Sequence, residues 1–281
     1  MPNKVTKSFC KLFADDCKLY GTVNGSENSL QYDLKELEIW SKEWQLHFNA
    51  SKCKVLHVGY QNQHNEYKLY DKILEETDVE KDLGVLIDKN LKFHEHTAAA
   101  TKKANQILGI IKRSYTSRDL KTISTLYKAM VRPHLEYGNV IWGPFYQGDI
   151  LRVESIQRRA TKLVPELMEM PYEQRLRILN LPSLSYRRKR GDMILMYKIM
   201  NGLVRIDSEF LFTPATYKST RGHSKKIFKK HSTKLIRSNC FSQRVIDNWN
   251  SLPEKVINSP SLNIFKNRLD ITWHTKQFLI N

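Results

Sequence analysis

The sequence predicts an α+β chain, with about 90 residues of mixed strand and helix followed by a mainly helical remainder. Three observations predict it. Apolar residues alternate in short segments before Asn90 and recur at three- and four-residue spacing after it. The charge changes sign along the same line: residues 1–90 carry 12 Lys+Arg against 15 Asp+Glu, and residues 91–281 carry a net +20. The composition, 41% hydrophobic and 10% aromatic in 281 residues, supplies a sizeable core and excludes disordered, collagen-like and low-complexity classes.

The elements follow in order. In SFCKLFADDCKLYGT two short alternating segments flank Ala14-Asp15-Asp16, a hairpin signature. From Ser26, a residue suited to an N-cap, the positions Leu30, Leu34, Leu37, Trp40 and Trp44 predict an amphipathic helix to about His47. That stripe places Trp40 and Trp44 in the core rather than on a base-stacking surface. CKVLHVG (53–59), YKLYDKIL (67–74) and DLGVLID (82–88) each predict a strand, with Gly84 permitting a bulge or a close approach.

After Asn90, Ala104, Ile107, Leu108 and Ile111 form one helical stripe. Leu120, Ile123, Tyr127 and Met130 form the next, with Ser117 placed to cap it. Pro133 ends that helix or starts another, 150–164 is a basic helix, and 186–202 is a helix closed by Gly202. The polar stretch 213–234 reads as extended or loop structure. Residues 240–256 and 259–270 read as two short helices, with Pro260 in the first turn of the second.

Cys10, Cys17, Cys53 and Cys240 have no paired spacing, so free thiols are expected. His94, His96, His223, His231 and Cys240 converge on no four-ligand pattern and read as surface residues. A +20 block points to a polyanion partner such as nucleic acid, with an anionic membrane surface the weaker alternative. No apolar run approaches the roughly 18 residues that span a bilayer. The opening MPNKVTKSFCKLFADD has no long apolar leader, so the chain is expected to be intracellular, in nucleus or cytoplasm, with no membrane partner.

Phe13-Ala14-Asp15-Asp16 in a hairpin is followed by the helix and then by 44–59, 81–88, KKANQILGIIKRS (102–114), LYKAMVRPHLEYGNVIWGP (126–144) and IQRRATKLVP (156–165). Together these resemble the C-terminal part of a non-LTR retrotransposon reverse transcriptase of the jockey or chicken-repeat LINE type. RRKRGDMILMYKIMNG and NSLPEKVINSPSLNIFKNRLD are similar to the tail of such reading frames, so the resemblance runs from about Phe9 to the end. It implies a partial palm over 1–90, a helical thumb-like region over 91–165 and a basic, mainly helical C-terminal region over 166–281.

By this resemblance Asp15 and Asp16 match the catalytic, metal-holding pair, Asp15 being the more direct Mg²⁺ ligand and Phe13 and Ala14 shaping the turn. Polymerases of this kind use two divalent ions roughly 3.5–4 Å apart. Lys52 falls where the family places a lysine near the incoming triphosphate. Lys102, Lys103, Lys112, Arg113, Arg158, Arg159 and Lys162 fall on helices that would grip the RNA or DNA template-primer backbone. Arg187-Arg188-Lys189-Arg190 reads equally well as a nuclear-localisation-like run.

The family's third carboxylate and its fingers precede the Asp-Asp hairpin, and the 14 residues before Asp15 hold no Asp or Glu. The expectation is therefore a catalytically incomplete RNA-directed DNA polymerase fragment that keeps non-specific nucleic-acid binding. One alternative is a piece of an active reverse transcriptase completed by an upstream palm and fingers. Another is a helical protein-interaction scaffold. A palm without its earlier strands leaves an open edge, an expected self-association surface, and poorly packed first 60 residues.

Overall fold

A computed structural model describes residues 2–22, 29–215 and 222–278. Ser26, the expected N-cap, lies outside the described residues. The chain forms two compact units that divide between Leu91 and Lys92.

The first unit opens with the antiparallel hairpin β1 (Phe9–Phe13) and β2 (Asp16–Tyr20), in the register Phe9↔Tyr20 to Phe13↔Asp16. Alternation sets Cys10, Leu12, Cys17 and Leu19 on one face, while Phe9 stacks on Tyr20 at 5.3 Å on the other. Helix α1 (Ser29–Glu43) buries Asp33, Leu37 and Ser41 at four-residue intervals.

Two features of this helix correct the expectation. It stops at Glu43, short of His47, because Gln45 turns left-handed (φ 56°) and Leu46 N–H closes onto the Ser41 carbonyl at 2.9 Å. Trp44 therefore leaves the core stripe, 65% exposed, and stacks on half-buried Trp40.

Strand β3 (Lys54–Leu56) is the expected one, although shorter. The segment 67–74 is not one strand but a hairpin of β4 (Lys68–Leu69) and β5 (Lys72–Ile73) around Tyr70 and Asp71, both with positive φ. Next, β6 (Glu75–Thr77) pairs with β3 in parallel, unlike the other pairs of this unit. The segment 82–88 is likewise part of a hairpin, β7 (Val79–Asp82) and β8 (Val85–Asp88), turning at Leu83 (φ 45°) and Gly84 (φ 86°). Two-residue hairpin loops require positive φ at their centre, so Gly84 serves a turn rather than a bulge or close approach. The core is small: among the described residues of this unit Leu37, Tyr67, Leu69, Leu74 and Val85 are the buried apolar ones.

The second unit begins with α2 (His94–Ser114), which buries Ala100, Ala104, Leu108 and Ile111. Helix α3 (Leu120–Leu126) is capped by Asp119, whose carboxylate accepts Thr122 N–H at 2.9 Å. Ser117, the expected cap, instead donates its hydroxyl to Asp119. A π turn over Tyr127–Val131 then leads into α4 (Arg132–Glu136), with Pro133 in its first turn. A proline clashes with the carbonyl four residues back, and the wider turn just before it relieves that clash. The same turn shifts the stripe by one residue, so Val131 is buried in place of Met130, which is 41% exposed.

There follow α5 (Asn139–Trp142), α6 (Gln147–Thr161), α7 (Tyr172–Ile178) and α8 (Leu184–Met200). Helix α8 ends as expected at left-handed Gly202 (φ 64°): Gly202 N–H bonds to Ile199 and Leu203 N–H to Lys198. After α9 (Ser208–Leu211), the polar stretch contains a two-residue ladder of β9 (Thr213–Pro214) and β10 (Ile227–Phe228).

Helix α10 (Leu235–Asn239) follows, and α11 (Phe241–Arg244), α12 (Ile246–Asn250) and α13 (Glu254–Ile257) correct the reading of 240–256 as one helix. Helix α14 (Leu262–Thr272) is capped by the Ser261 hydroxyl, which accepts Ile264 N–H. Pro260 thus sits before the cap rather than in the first turn. Met193, Met196, Tyr197, Trp249, Phe265 and Leu269 form the centre of the C-terminal core. Among the described residues no helix is long and apolar enough to cross a membrane.

Candidate nucleic-acid interface and acidic hairpin

Helix α6 is held rigidly by what it buries. Val153, Ile156 and Ala160 pack inward, and between them Glu154 and Gln157 are fully buried with their polar atoms bonded. The Glu154 carboxylate accepts the Tyr172 hydroxyl at 2.6 Å and the Leu184 N–H at 3.1 Å. Gln157 accepts the Tyr127 hydroxyl at 2.6 Å and donates to the Pro182 carbonyl at 3.1 Å. Burial, reinforced by the Glu154 charge, pushes both tyrosine hydroxyls well up, so they stay protonated donors. Buried groups satisfied in this way fix one arrangement of neighbouring helices.

The opposite side of α6 is basic. Arg152, Ser155 and Arg159 follow at three- and four-residue spacing, hence on one face. Together with Ile156 they meet Ala98, Thr101 and Lys102 of α2 around an open groove of about 290 Å³. Its three cations are N–H donors suited to phosphate oxygens, whereas the two hydroxyls are turned onto their own helices, Thr101 donating to the Thr97 carbonyl at 2.7 Å and Ser155 to the Arg152 carbonyl at 2.7 Å. Asp149 lies at one side, where its buried carboxylate bonds His94 Nδ1 and sits 3.8 Å from Arg152. The Arg152 side chain is still 53% exposed.

Of the basic residues singled out in the sequence, the groove brings together Lys102 and Arg159. Lys103, Lys112 and Arg113 are exposed along α2 outside it. Eleven residues, about three helical turns, bring Arg113 back to the side of Lys102, whereas Lys112 points elsewhere. Arg158 stacks on the Tyr172 ring at 4.5 Å, and Lys162 is exposed at the end of α6. Arg152 was missed; its signal is the seven-residue spacing to Arg159, two turns along one face.

The run 187–190 is corrected. Arg187 forks onto Glu136, Arg190 forks onto Asp270 at 2.6 and 2.8 Å, and burial lowers the pKa of Arg188. These arginines are structural rather than a free basic signal. His96 and His223 are likewise buried, against expectation, and burial lowers the pKa of each. His96 meets the Trp142 ring edge-on at 4.7 Å, and His223 Nε2 lies 3.0 Å from the Trp249 carbonyl.

In the first unit Ala14 (φ 51°) and Asp15 form the hairpin loop and Asp16 opens β2, both acids being exposed. The loop's approach is anchored by buried Asp33, whose carboxylate accepts the Ser8 hydroxyl at 2.6 Å and the N–H groups of Thr6, Lys7 and Ser8. On the return strand, Lys18 pairs with Asp82. Two adjacent carboxylates suit a hard divalent cation, but they supply only part of the roughly six oxygens such an ion takes. Lys52 is exposed in a turn, its N–H on the Asn49 carbonyl, and no bond joins its side chain to Asp15 or Asp16 among the described residues.

The chain is similar to three curated proteins of Drosophila melanogaster. It is 26% identical over 167 residues to a probable RNA-directed DNA polymerase from transposon X-element, and 28% identical over 171 residues to one from transposon BS. It is 23% identical over 163 residues to the RNA-directed DNA polymerase from mobile element jockey. These matches cover 56, 57 and 54% of this chain, and only 18, 19 and 17% of the respective relatives. No family model and no solved structure matches the chain.

Proposed function

We propose that the chain is the C-terminal part of a retrotransposon RNA-directed DNA polymerase whose helical unit holds the phosphate backbone of an RNA or DNA template-primer. The observation that carries this reading is the groove between α2 and α6, where Lys102, Arg152 and Arg159 converge beside Thr101 and Ser155. Phosphate contacts of this kind are independent of sequence. Lys103, Lys112, Arg113, Arg158 and Lys162 extend the positive field around it. In this reading residues 1–90 are the end of a palm, 91–165 a thumb and 166–281 a basic C-terminal region.

Asp15 and Asp16 are then two of the carboxylates that hold Mg²⁺, with a further acid contributed by the palm upstream of the hairpin in the complete polymerase. The ion, when bound, neutralises charge developing on the transferred phosphoryl group and the leaving group. Asp15 and Asp16 hold it at the tip of a hairpin whose approach Asp33 fixes. Lys52 stands near the incoming triphosphate as a charge-stabilising group. The chain alone binds nucleic acid without extending a primer.

Fluorescence anisotropy with a labelled RNA–DNA primer-template tests this. K102Q/R152Q/R159Q should lose at least about tenfold in affinity, as expected for three lost phosphate contacts. Unchanged affinity would favour a helical scaffold role over this one.

A further inference from the structure

We propose that His57, His64 and Glu76 form a binding site for one divalent transition ion of the zinc type, separate from the acidic hairpin. The ligand atoms of these three side chains lie within 4.8 Å of one another. His64 Nδ1 is 2.7 Å from a Glu76 oxygen, and the His57 and His64 rings lie 4.7 Å apart.

The backbone brings them together for identifiable reasons. Strands β3 and β6 run in parallel with Val55 opposite Glu76. Side chains alternate, so His57, one residue past β3, emerges on the same face as Val55 and Glu76. Lys54 and Glu75 form their ion pair on the other face. The chain then reverses at Gly59 (φ 96°), whose N–H bonds to the Lys89 carbonyl, and Asn62 N–H returns to the Gly59 carbonyl at 3.3 Å. The Asn62 side chain accepts His64 N–H at 3.1 Å, and His64 itself is left-handed, φ 52°. A non-glycine residue adopts that conformation uncommonly, and such strain clusters at ligand-holding sites.

The donor set selects the ion. Two imidazoles and one carboxylate are the protein ligands of many zinc sites, with water completing a tetrahedron. At metal–ligand distances near 2.0–2.1 Å, tetrahedral ligand atoms stand about 3.3 Å apart. The His64–Glu76 pair must therefore open by about 0.6 Å and His57 close in by at most about 1.5 Å, which side-chain rotation supplies. His57 is buried, 6% exposed, with its ring 6.1 Å from that of Tyr67, so the ion would be partly shielded from water. His64 and Glu76 are each about half exposed, leaving an entry path. The ion would staple the 57–64 loop to β6 in a unit with a small core.

The test is titration of the full chain with Zn²⁺, and with Co²⁺ as a spectroscopic probe. One equivalent should bind, raise the melting temperature and, for Co²⁺, give the intense visible bands of four-coordinate geometry without thiolate charge transfer. His64→Ala and Glu76→Gln, half-exposed positions whose folding is checked by circular dichroism, should each weaken binding about tenfold or more. Because Cys10 and Cys17 lie with their sulfurs 3.7 Å apart, Cys10→Ser/Cys17→Ser is the control and should bind unchanged. Absence of stoichiometric binding, binding that survives both ligand substitutions, or binding lost in the cysteine variant would overturn the assignment. None of these outcomes bears on the polymerase reading, which rests on other residues.

Discussion

The Asp33 carboxylate accepts the Ser8 hydroxyl at 2.6 Å, 25 residues back along the chain and one residue before the hairpin that carries Asp15 and Asp16. Burial alone would raise the Asp33 pKa. The Ser8 hydroxyl and the amides of Thr6, Ser8 and Lys7 outweigh it and hold the carboxyl below its ordinary 3.8. A depressed pKa contributes stability above the ordinary value and loses it as pH falls through the folded one, so this anchor weakens below about pH 3.8. Asp33→Asn should cost about 1.5–3 kcal/mol, the range for hydrogen bonds to a charged group. Hydrogen exchange should show the loss in β1 and β2 first.

Glu154 and its partners predict a larger effect in the helical unit. Glu154→Ala strips the Tyr172 hydroxyl and the Leu184 N–H of their acceptor and removes one of the three carboxylates, with Asp192 and Glu136, that oppose the charge of Arg188. Breaking a buried charged network of this kind costs about 3–5 kcal/mol. Tyr127→Phe removes one neutral bond to Gln157 and should cost nearer 1 kcal/mol. Urea unfolding monitored by tryptophan fluorescence separates the two.

His96 and His223 set the response to mild acid. Burial holds both below the ordinary 6.5, so near that pH the unfolded chain takes up protons that the folded chain refuses. Stability of the helical unit should therefore be complete above about pH 6.5 and fall as the pH drops towards 5. H96Q/H223Q should flatten that slope, and denaturation midpoints at pH 5, 6 and 7.5 measure it. An equally steep slope in the double variant would locate the acid response elsewhere.

The two units should differ in protection from exchange. In the first, few apolar side chains are buried, while Phe9, Phe13, Trp44, Leu46 and Tyr60 are each at least 60% exposed. In the second, residues from α2 to α14 surround fully buried Trp142, Trp249 and Phe265. Local opening is governed by buried contacts, so amides before Leu91 should exchange faster than those of α2, α6 and α8. Uniform slow exchange across both units would contradict this.

Legibility followed how local the determining chemistry was. The 9–20 hairpin and the Gly202 stop were readable because alternation and a C-terminal glycine act over a few residues. The turns at Tyr70-Asp71 and Leu83-Gly84 were not, because Tyr70, Asp71 and Leu83 take positive φ against their own preference under strand pairing. Met130 was misplaced because a π turn changes the helical count. At the α2–α6 groove, Lys102 and Arg159 were readable as basic residues on helices. That they share a groove with Arg152 depends on how α2 crosses α6, which no local pattern carries. His57, His64 and Glu76 were missed because a parallel pairing and a folded loop, rather than a ligand spacing, bring them together.

The central claim is that Lys102, Arg152 and Arg159 contact nucleic-acid phosphates. The most direct measurement is the salt dependence of primer-template affinity for the native chain, for K102Q/R152Q/R159Q and for a control, K11Q/K230Q/K255Q, which removes the same charge from exposed lysines elsewhere. Each phosphate contact contributes about 0.7–0.9 to the slope of log affinity against log salt, so the groove variant should lose about 2–3 slope units and the control almost none. Equal slopes for the two variants would mean that only net charge matters, and would contradict the groove as the binding site.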